Sequence, residues 1–136
     1  MPDTFQLEIV TPEKLVVKDQ AEEMQIPGKN GYLGILPGHA PLITELAVGE
    51  ISYHKGAETR FLAVAWGFAE VLPDRVTILA ETAERAEEID VKRAEEAKQR
   101  AEERLQSGKT ETDYGRAQSS LQRAETRLDV AEKSKS

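Results

Sequence analysis

The sequence contains no cysteine. Disulfides and thiolate metal sites are therefore excluded, and two histidines alone do not assemble a His/Cys metal constellation. Aromatic residues are scarce: one Trp, three Tyr and three Phe make up 5% of 136 residues. No apolar run approaches the roughly 18 residues that a membrane-spanning helix requires. The opening MPDTFQLEIV has neither a basic n-region nor an apolar h-region, which predicts no signal peptide. There is no G-x-x-x-x-G-K-[ST] loop to cradle phosphates for hydrolysis. Positive charge is not in excess either. The formal net charge is −7, which disfavours general nucleic-acid binding. These absences predict a soluble protein of a reducing compartment, one that reaches a membrane only through a partner.

What is present divides in two. Residues 1–83 carry 6 Lys/Arg against 12 Asp/Glu, whereas residues 84–136 carry 12 against 13. The first part is moderately charged and the second is dense in both signs. In the first part Phe5, Leu7 and Ile9 alternate with Gln6, Glu8 and Val10, the pattern of a half-buried strand. Short apolar runs follow at 15–17, 22–26, 32–36, 42–46, 48–53, 60–65, 68–72 and 76–80. Pro12, Pro27-Gly28, Gly31, Pro37-Gly38, Gly49, His54-Lys55-Gly56, Gly67 and Pro73-Asp74 punctuate them as turns. Many short strands with Gly/Pro turns and no crossover helices predict an antiparallel sandwich or barrel.

Near Glu81 the hydrophobic period changes from two to about 3.6. Residues 84–88 read as a polar connector. Asp90 is placed to cap a first helix running to Gln106, with Ser107-Gly108 as its stop. Thr110 or Thr112 can cap a second, with Glu111 and Asp113 favourable at its positive end and Gly115 weakening its first turn. Ala94, Ala97, Ala101 and Leu105 form one stripe; Tyr114, Ala117, Leu121, Ala124, Leu128 and Ala131 form the other, at heptad spacing. A connection of a few residues makes the two helices antiparallel neighbours. Alternating alanine with leucine buries little, so this hairpin is expected to be weakly held and able to adopt more than one arrangement. A face with nothing larger than leucine apart from Tyr114, and no basic excess, argues against a membrane-surface helix.

Two features are open on the residues alone. His39 sits in a loop stiffened by Pro37 and Pro41, where it suits a partner contact, a proton-linked switch or a plain loop residue. Arg93, Arg100 and Arg104 on one helix, and Arg116, Arg123 and Arg127 on the other, each step by seven and four. They read either as a solvated charged face or as two rows converging on a polyphosphate. Glu95-Glu96 and Glu102-Glu103 read as solvated helix charges and imply no catalytic pocket.

The stretch Gly34-Ile35-Leu36-Pro37-Gly38-His39-Ala40-Pro41-Leu42 resembles the epsilon subunit of F-type ATP synthases. So do Gly67 to Val71 with Val76 to Ala80, and Val10-Thr11-Pro12-Glu13. The resemblance covers nearly the whole chain in order. It implies an α+β fold: a flattened antiparallel β-sandwich of about ten strands over residues 1–84, then an antiparallel two-helix hairpin over 85–136. It implies a non-catalytic rotor subunit of the central stalk that couples proton-driven rotation to ATP synthesis. Partners would be the gamma subunit and the c-ring, contacted around Gly31, Tyr32, Gly38, His39, Ala40, Pro41 and Leu42. Position 32 is often acidic in the family, and here it is Tyr32. The catalytic alpha/beta head would be met when the helices extend along gamma and block hydrolytic rotation. The implied location is peripheral, on the cytoplasmic face of the bacterial plasma (inner) membrane, with no required cofactor.

Ile89-Asp90-Val91-Lys92-Arg93-Ala94 further resembles the I/L-D-x-x-R-A motif of epsilon subunits that bind ATP as a regulatory ligand. Carried over, Asp90 and Arg93, flanked by Ile89 and Ala94, would hold the adenine end. Arg100, Arg123 and Arg127 would hold phosphates, with Glu84 as a supporting acid. The reading that competes with all of this is a free-standing sandwich adaptor whose coiled hairpin recruits a partner helix.

Overall fold

Strict alternation sets the first strand, β1 (Phe5–Val10): Phe5, Leu7 and Ile9 are buried while Gln6 is exposed. The computed structural model describes residues 3–107 and 111–134, and the side chains of 111–113 lie outside that description. Seven further strands follow: β2 (Leu15–Ala21), β3 (Glu23–Gly28), β4 (Gly31–Ile35), β5 (Leu42–Leu46), β6 (Gly49–Lys55), β7 (Glu58–Leu72) and β8 (Arg75–Arg85). They form one folded sheet in the order β2-β1-β8-β7-β5-β3-β4, with β6 pairing both β3 and β7. Every pairing is antiparallel except β1 with β8, which run parallel. That pair is possible because all of β2 to β7 serves as its connection.

Among the described residues there are thus eight strands rather than about ten. The residues responsible are Trp66 and Gly67, at φ 50° and 138°. Gly67 reads in sequence as a turn, but β7 bends there without stopping. Its pairing with β8 keeps one register from Leu62↔Arg85 through Gly67↔Ala80 to Leu72↔Arg75. β5 and β6 lie end to end along the other edge of β7, from Leu42↔Val71 to Lys55↔Glu58. A Cβ on Gly67 would stand 1.9 Å from the Leu79 carbonyl oxygen, so only glycine admits this approach. The supposed connector also differs. Glu84 and Arg85 still belong to β8, paired with Ala63 and Leu62, and only Ala86–Glu88 turns away, as a 3-10 turn.

The core gathers the inward residues of all these strands, with Leu7, Ile9, Ile26, Ile51, Val71, Val76 and Ile78 fully shielded. A polar tie at its edge joins two of these strands. Asp19 of β2 meets β6, which is not its sheet neighbour. It accepts from the Tyr53 hydroxyl at 3.1 Å and Lys55 Nζ at 2.8 Å. Nearby, Arg85 donates from Nη2 and Nε to the Val16 carbonyl, at 2.8 and 3.3 Å.

The second compact unit begins at Ala86. It holds α1 (Val91–Ser107) and α2 (Glu111–Lys133). Asp90 caps α1 as expected, its Oδ1 accepting from the Arg93 amide at 3.1 Å and its carbonyl from the Ala94 amide at 3.0 Å. At the other end the Ser107 hydroxyl donates to the Arg104 carbonyl at 2.8 Å. Gly108 and Thr110, expected as stop and cap, lie outside the described residues, as do the side chains of Thr112 and Asp113. The buried seam is Ala94, Ala101, Ala117, Ala124, Val130 and Ala131, closed at its base by Ala86 and Ile89. Leu105, Leu121 and Leu128 are only half-buried. Tyr114 does not join the seam: it is 52% exposed, one turn short of where Ala117 allows close approach.

Candidate functional site

The seven residues expected at subunit contacts fall into two places. Gly31 and Tyr32 open β4; Gly38 to Leu42 leave it and enter β5. The length of β4, about 13 Å, separates them. Tyr32 is held although exposed, its hydroxyl accepting from the Glu50 amide at 2.9 Å. That oxygen would lie 2.7 Å from a Cβ on Gly49, so glycine there leaves room for the phenol. In the second loop Gly38, at φ 86°, donates its amide to the Pro73 carbonyl at 2.7 Å. The His39 amide donates to the Leu36 carbonyl, and its Nδ1 donates to the Ala40 carbonyl at 2.6 Å. Ala40, Pro41 and Leu42 are exposed beside it. Both loops are therefore fixed in shape while presenting side chains outward.

Strand register reveals a surface that the sequence did not advertise. Leu15 pairs with Val10, Val10 with Leu79, and Leu79 with Phe68, so one outward row crosses β2, β1, β8 and β7. Ile43 on β5 lies diagonal to Phe68, through the pairs Ile43↔Glu70 and Glu45↔Phe68. Leu15, Leu79, Phe68 and Ile43 are 50%, 55%, 52% and 70% exposed. Single exposed apolar residues are ordinary, but a contiguous row across four strands marks an interaction face. It runs into the Gly38–Leu42 loop through Ile43. The only sequence signal was that Leu15, Phe68 and Leu79 occupy positions out of phase with their buried neighbours.

In the helical unit, Ile89, Asp90, Arg93, Ala94, Arg100, Arg123 and Arg127 are all present; Glu84 belongs to β8 of the other unit. Ile89 and Ala94 are buried and build the seam. Arg93 and Arg100 are exposed, and Arg123 and Arg127 half-buried, with Arg123 Nη2 3.4 Å from the Ser120 hydroxyl. Each arginine of the two rows immediately precedes a seam residue: Ala94, Ala101 and Leu105 on α1, Ala117, Ala124 and Leu128 on α2. On antiparallel helices the positions just before the seam fall on the same side of the pair. Both rows therefore share one rim. The opposite rim, just after the seam, carries Glu95, Glu102, Glu125, Asp129 and Glu132. The hairpin segregates charge across its seam, with guanidinium groups suited to phosphate oxygens on one side.

Among the described residues no group of three or more His, Cys, Asp or Glu side chains is placed to hold a metal. Nor, among the described residues, is any helix long and apolar enough to cross a membrane.

Known proteins give the same division. A family model for the ATP synthase delta/epsilon chain beta-sandwich domain matches residues 4–86, and one for the delta/epsilon chain long alpha-helix domain matches 87–132. The chain is 78% identical over 107 residues to the ATP synthase epsilon chain of Koribacter versatilis, covering 79% of this chain and 75% of that one. It is 51% identical over 102 residues to that of Solibacter usitatus, covering 75% and 76%. Among solved structures, the fold is similar to a chain of the Euglena gracilis mitochondrial ATP synthase OSCP/F1/c-ring assembly. That match has a TM-score of 0.82 and 24% identity, over 96% of this chain and 82% of that one. A chain of the Tetrahymena thermophila mitochondrial ATP synthase central stalk and c-ring matches at TM-score 0.62 and 12% identity, over 97% and 96%. With both of its units matched in order, the chain belongs to the ATP synthase delta/epsilon chain family.

Proposed function

We propose that this chain is a non-catalytic central-stalk subunit of an F-type ATP synthase, docked on the gamma subunit and c-ring. The single observation that carries the docking is the open apolar row Leu15–Val10–Leu79–Phe68 with Ile43, on the outer face of the sandwich beside a rigid loop. Catalysis belongs to the alpha/beta head, and this chain places a regulator on the rotor. Its location is peripheral, at the cytoplasmic face of the bacterial plasma membrane, reached through the complex. Affinity purification of the full chain from membranes tests this: gamma and c subunits are expected in the eluate. A lone soluble partner would contradict it and favour the adaptor reading.

A regulatory reading of the hairpin rests on separate observations, the Asp90 cap and the shared arginine rim. The seam is built mostly of alanine, so its burial is small and the helices are held weakly. ATP at the rim would stabilise the closed hairpin and draw it away from an extended, inhibitory arrangement along gamma, because a ligand shifts only the state it prefers. Arg93, beside the Asp90 cap, would meet the adenine end, while Arg100, Arg123 and Arg127 would meet the phosphates. Titration of the full chain with ATP is expected to shift the amide signals of Arg93 and Arg123. No shift at millimolar ATP would remove the sensing role and leave the stalk role standing.

A further inference from the structure

Two arginines of the rim have no place in that scheme. Arg104 and Arg116 are exposed, and no ion pair or hydrogen bond is made by either side chain among the described residues. An antiparallel register sets the last turn of α1, ending at Ser107, beside the first turn of α2, which starts at Glu111. That register sets buried Ala94 against Ala124 and Ala101 against Ala117, with half-buried Ala97 against Leu121 between them. It puts Arg93 level with Arg123 and Arg100 level with Arg116, with Arg104 one turn further toward the connection. The rim therefore continues past the arginines assigned to a triphosphate. From Arg93 to Arg104 it spans about 16 Å of helix.

Six arginines on this rim face two described acids, Glu96 and Glu103, while the whole chain carries −7. A polyanion gains nothing from the average field of such a chain, so attraction is confined to the rim. We propose that Arg104 and Arg116 extend the anion site along the rim past the arginines assigned to ATP, making it a groove for linear polyphosphates longer than a triphosphate. This rests on reading the rim as a phosphate site. The extension reads chain length, because a longer chain reaches two further exposed guanidinium groups along the rim.

The test is calorimetric titration of the full chain with inorganic tripolyphosphate and with a longer linear polyphosphate, expressed per chain, with ATP titrated in parallel. The expected result is about tenfold tighter binding of the longer chain, from two added exposed charge contacts. The double variant Arg104→Ala/Arg116→Ala should lose that preference and show a shallower salt dependence, with ATP binding and helical circular dichroism retained. Lys92→Ala/Lys98→Ala, which removes equal charge off the rim, should keep it. Equal affinity of wild type for both lengths, or equal loss in the two double variants, overturns the proposal. If ATP fails to bind while the longer polyphosphate binds with the stated preference, ATP sensing falls and the extended groove stands. If ATP binds and length has no effect, the reverse holds.

Discussion

The Tyr53 hydroxyl donates to Asp19 Oδ2 at 3.1 Å across two strands that are not sheet neighbours. This contact, with Lys55 on the other carboxylate oxygen, ties β2 to β6 where no backbone ladder does. Burial raises the Asp19 pKa, but the bonds from Lys55, the Gln20 amide and Tyr53 outweigh it and hold the carboxyl below its ordinary value. Burial first, then the Asp19 charge, pushes the Tyr53 hydroxyl up to about 12 from 10.0.

The signs give a pH profile for the sandwich. Asp19, with its folded pKa depressed, contributes stability that is complete above the unfolded value of 3.8 and is lost as pH falls through the lower folded value. Tyr53, with its folded pKa raised, contributes stability that is complete below pH 10.0 and is lost as pH rises toward about 12. The alkaline loss is about 2 to 3 kcal/mol. Denaturant melts of wild type and Tyr53→Phe check this. The variant should cost about 1 kcal/mol near neutrality and lose the alkaline step. An unchanged alkaline step would assign it to other groups.

Gly67→Ala should destabilise the sandwich by about 3 kcal/mol or more, since the backbone is at φ 138° and the new Cβ meets the Leu79 carbonyl. Thermal melting reads this directly. Gly115→Ala is the contrast. Gly115 lies inside α2 with nothing within 4 Å of a new Cβ, so alanine should stabilise the helix by about 0.5 to 1 kcal/mol.

Gly67 also marks the limit of what the residues alone disclose. Alternation in Phe5 to Ile9 gave β1 to the residue, because burial on one face is a local pattern. A glycine inside an apolar run signals a turn and a tight crossing equally well, and here the partner strand decided between them. Glu84 and Arg85 look like connector because they are charged, yet β8 extends to them by pairing with Ala63 and Leu62. The parallel pairing of β1 with β8 and the apolar row it completes depend on register between distant segments, which no window of sequence contains. The Asp90 cap was legible because its chemistry lies within four residues. The exposure of Tyr114 was not, since heptad spacing ranks alanine and tyrosine alike at a seam built mostly of alanine.

Asp90→Ala removes the acceptor for the Arg93 amide. It should cost the first turn of α1 about 1 kcal/mol and raise amide exchange at residues 91–94, with the sandwich amides unchanged. Hydrogen exchange by mass spectrometry or NMR resolves the two. Equal loss of protection in both units would show that the cap is not a local device.

The central claim, that the sandwich docks on the stalk through its outer apolar row, is tested most directly by Phe68→Glu in a gamma-subunit pull-down. Phe68 is 52% exposed, so the fold should tolerate the change within about 0.5 kcal/mol, verified by thermal melting. Gamma retention should fall at least about tenfold, as expected for a charge placed in a desolvated contact. Undiminished retention of gamma by the folded variant would contradict it.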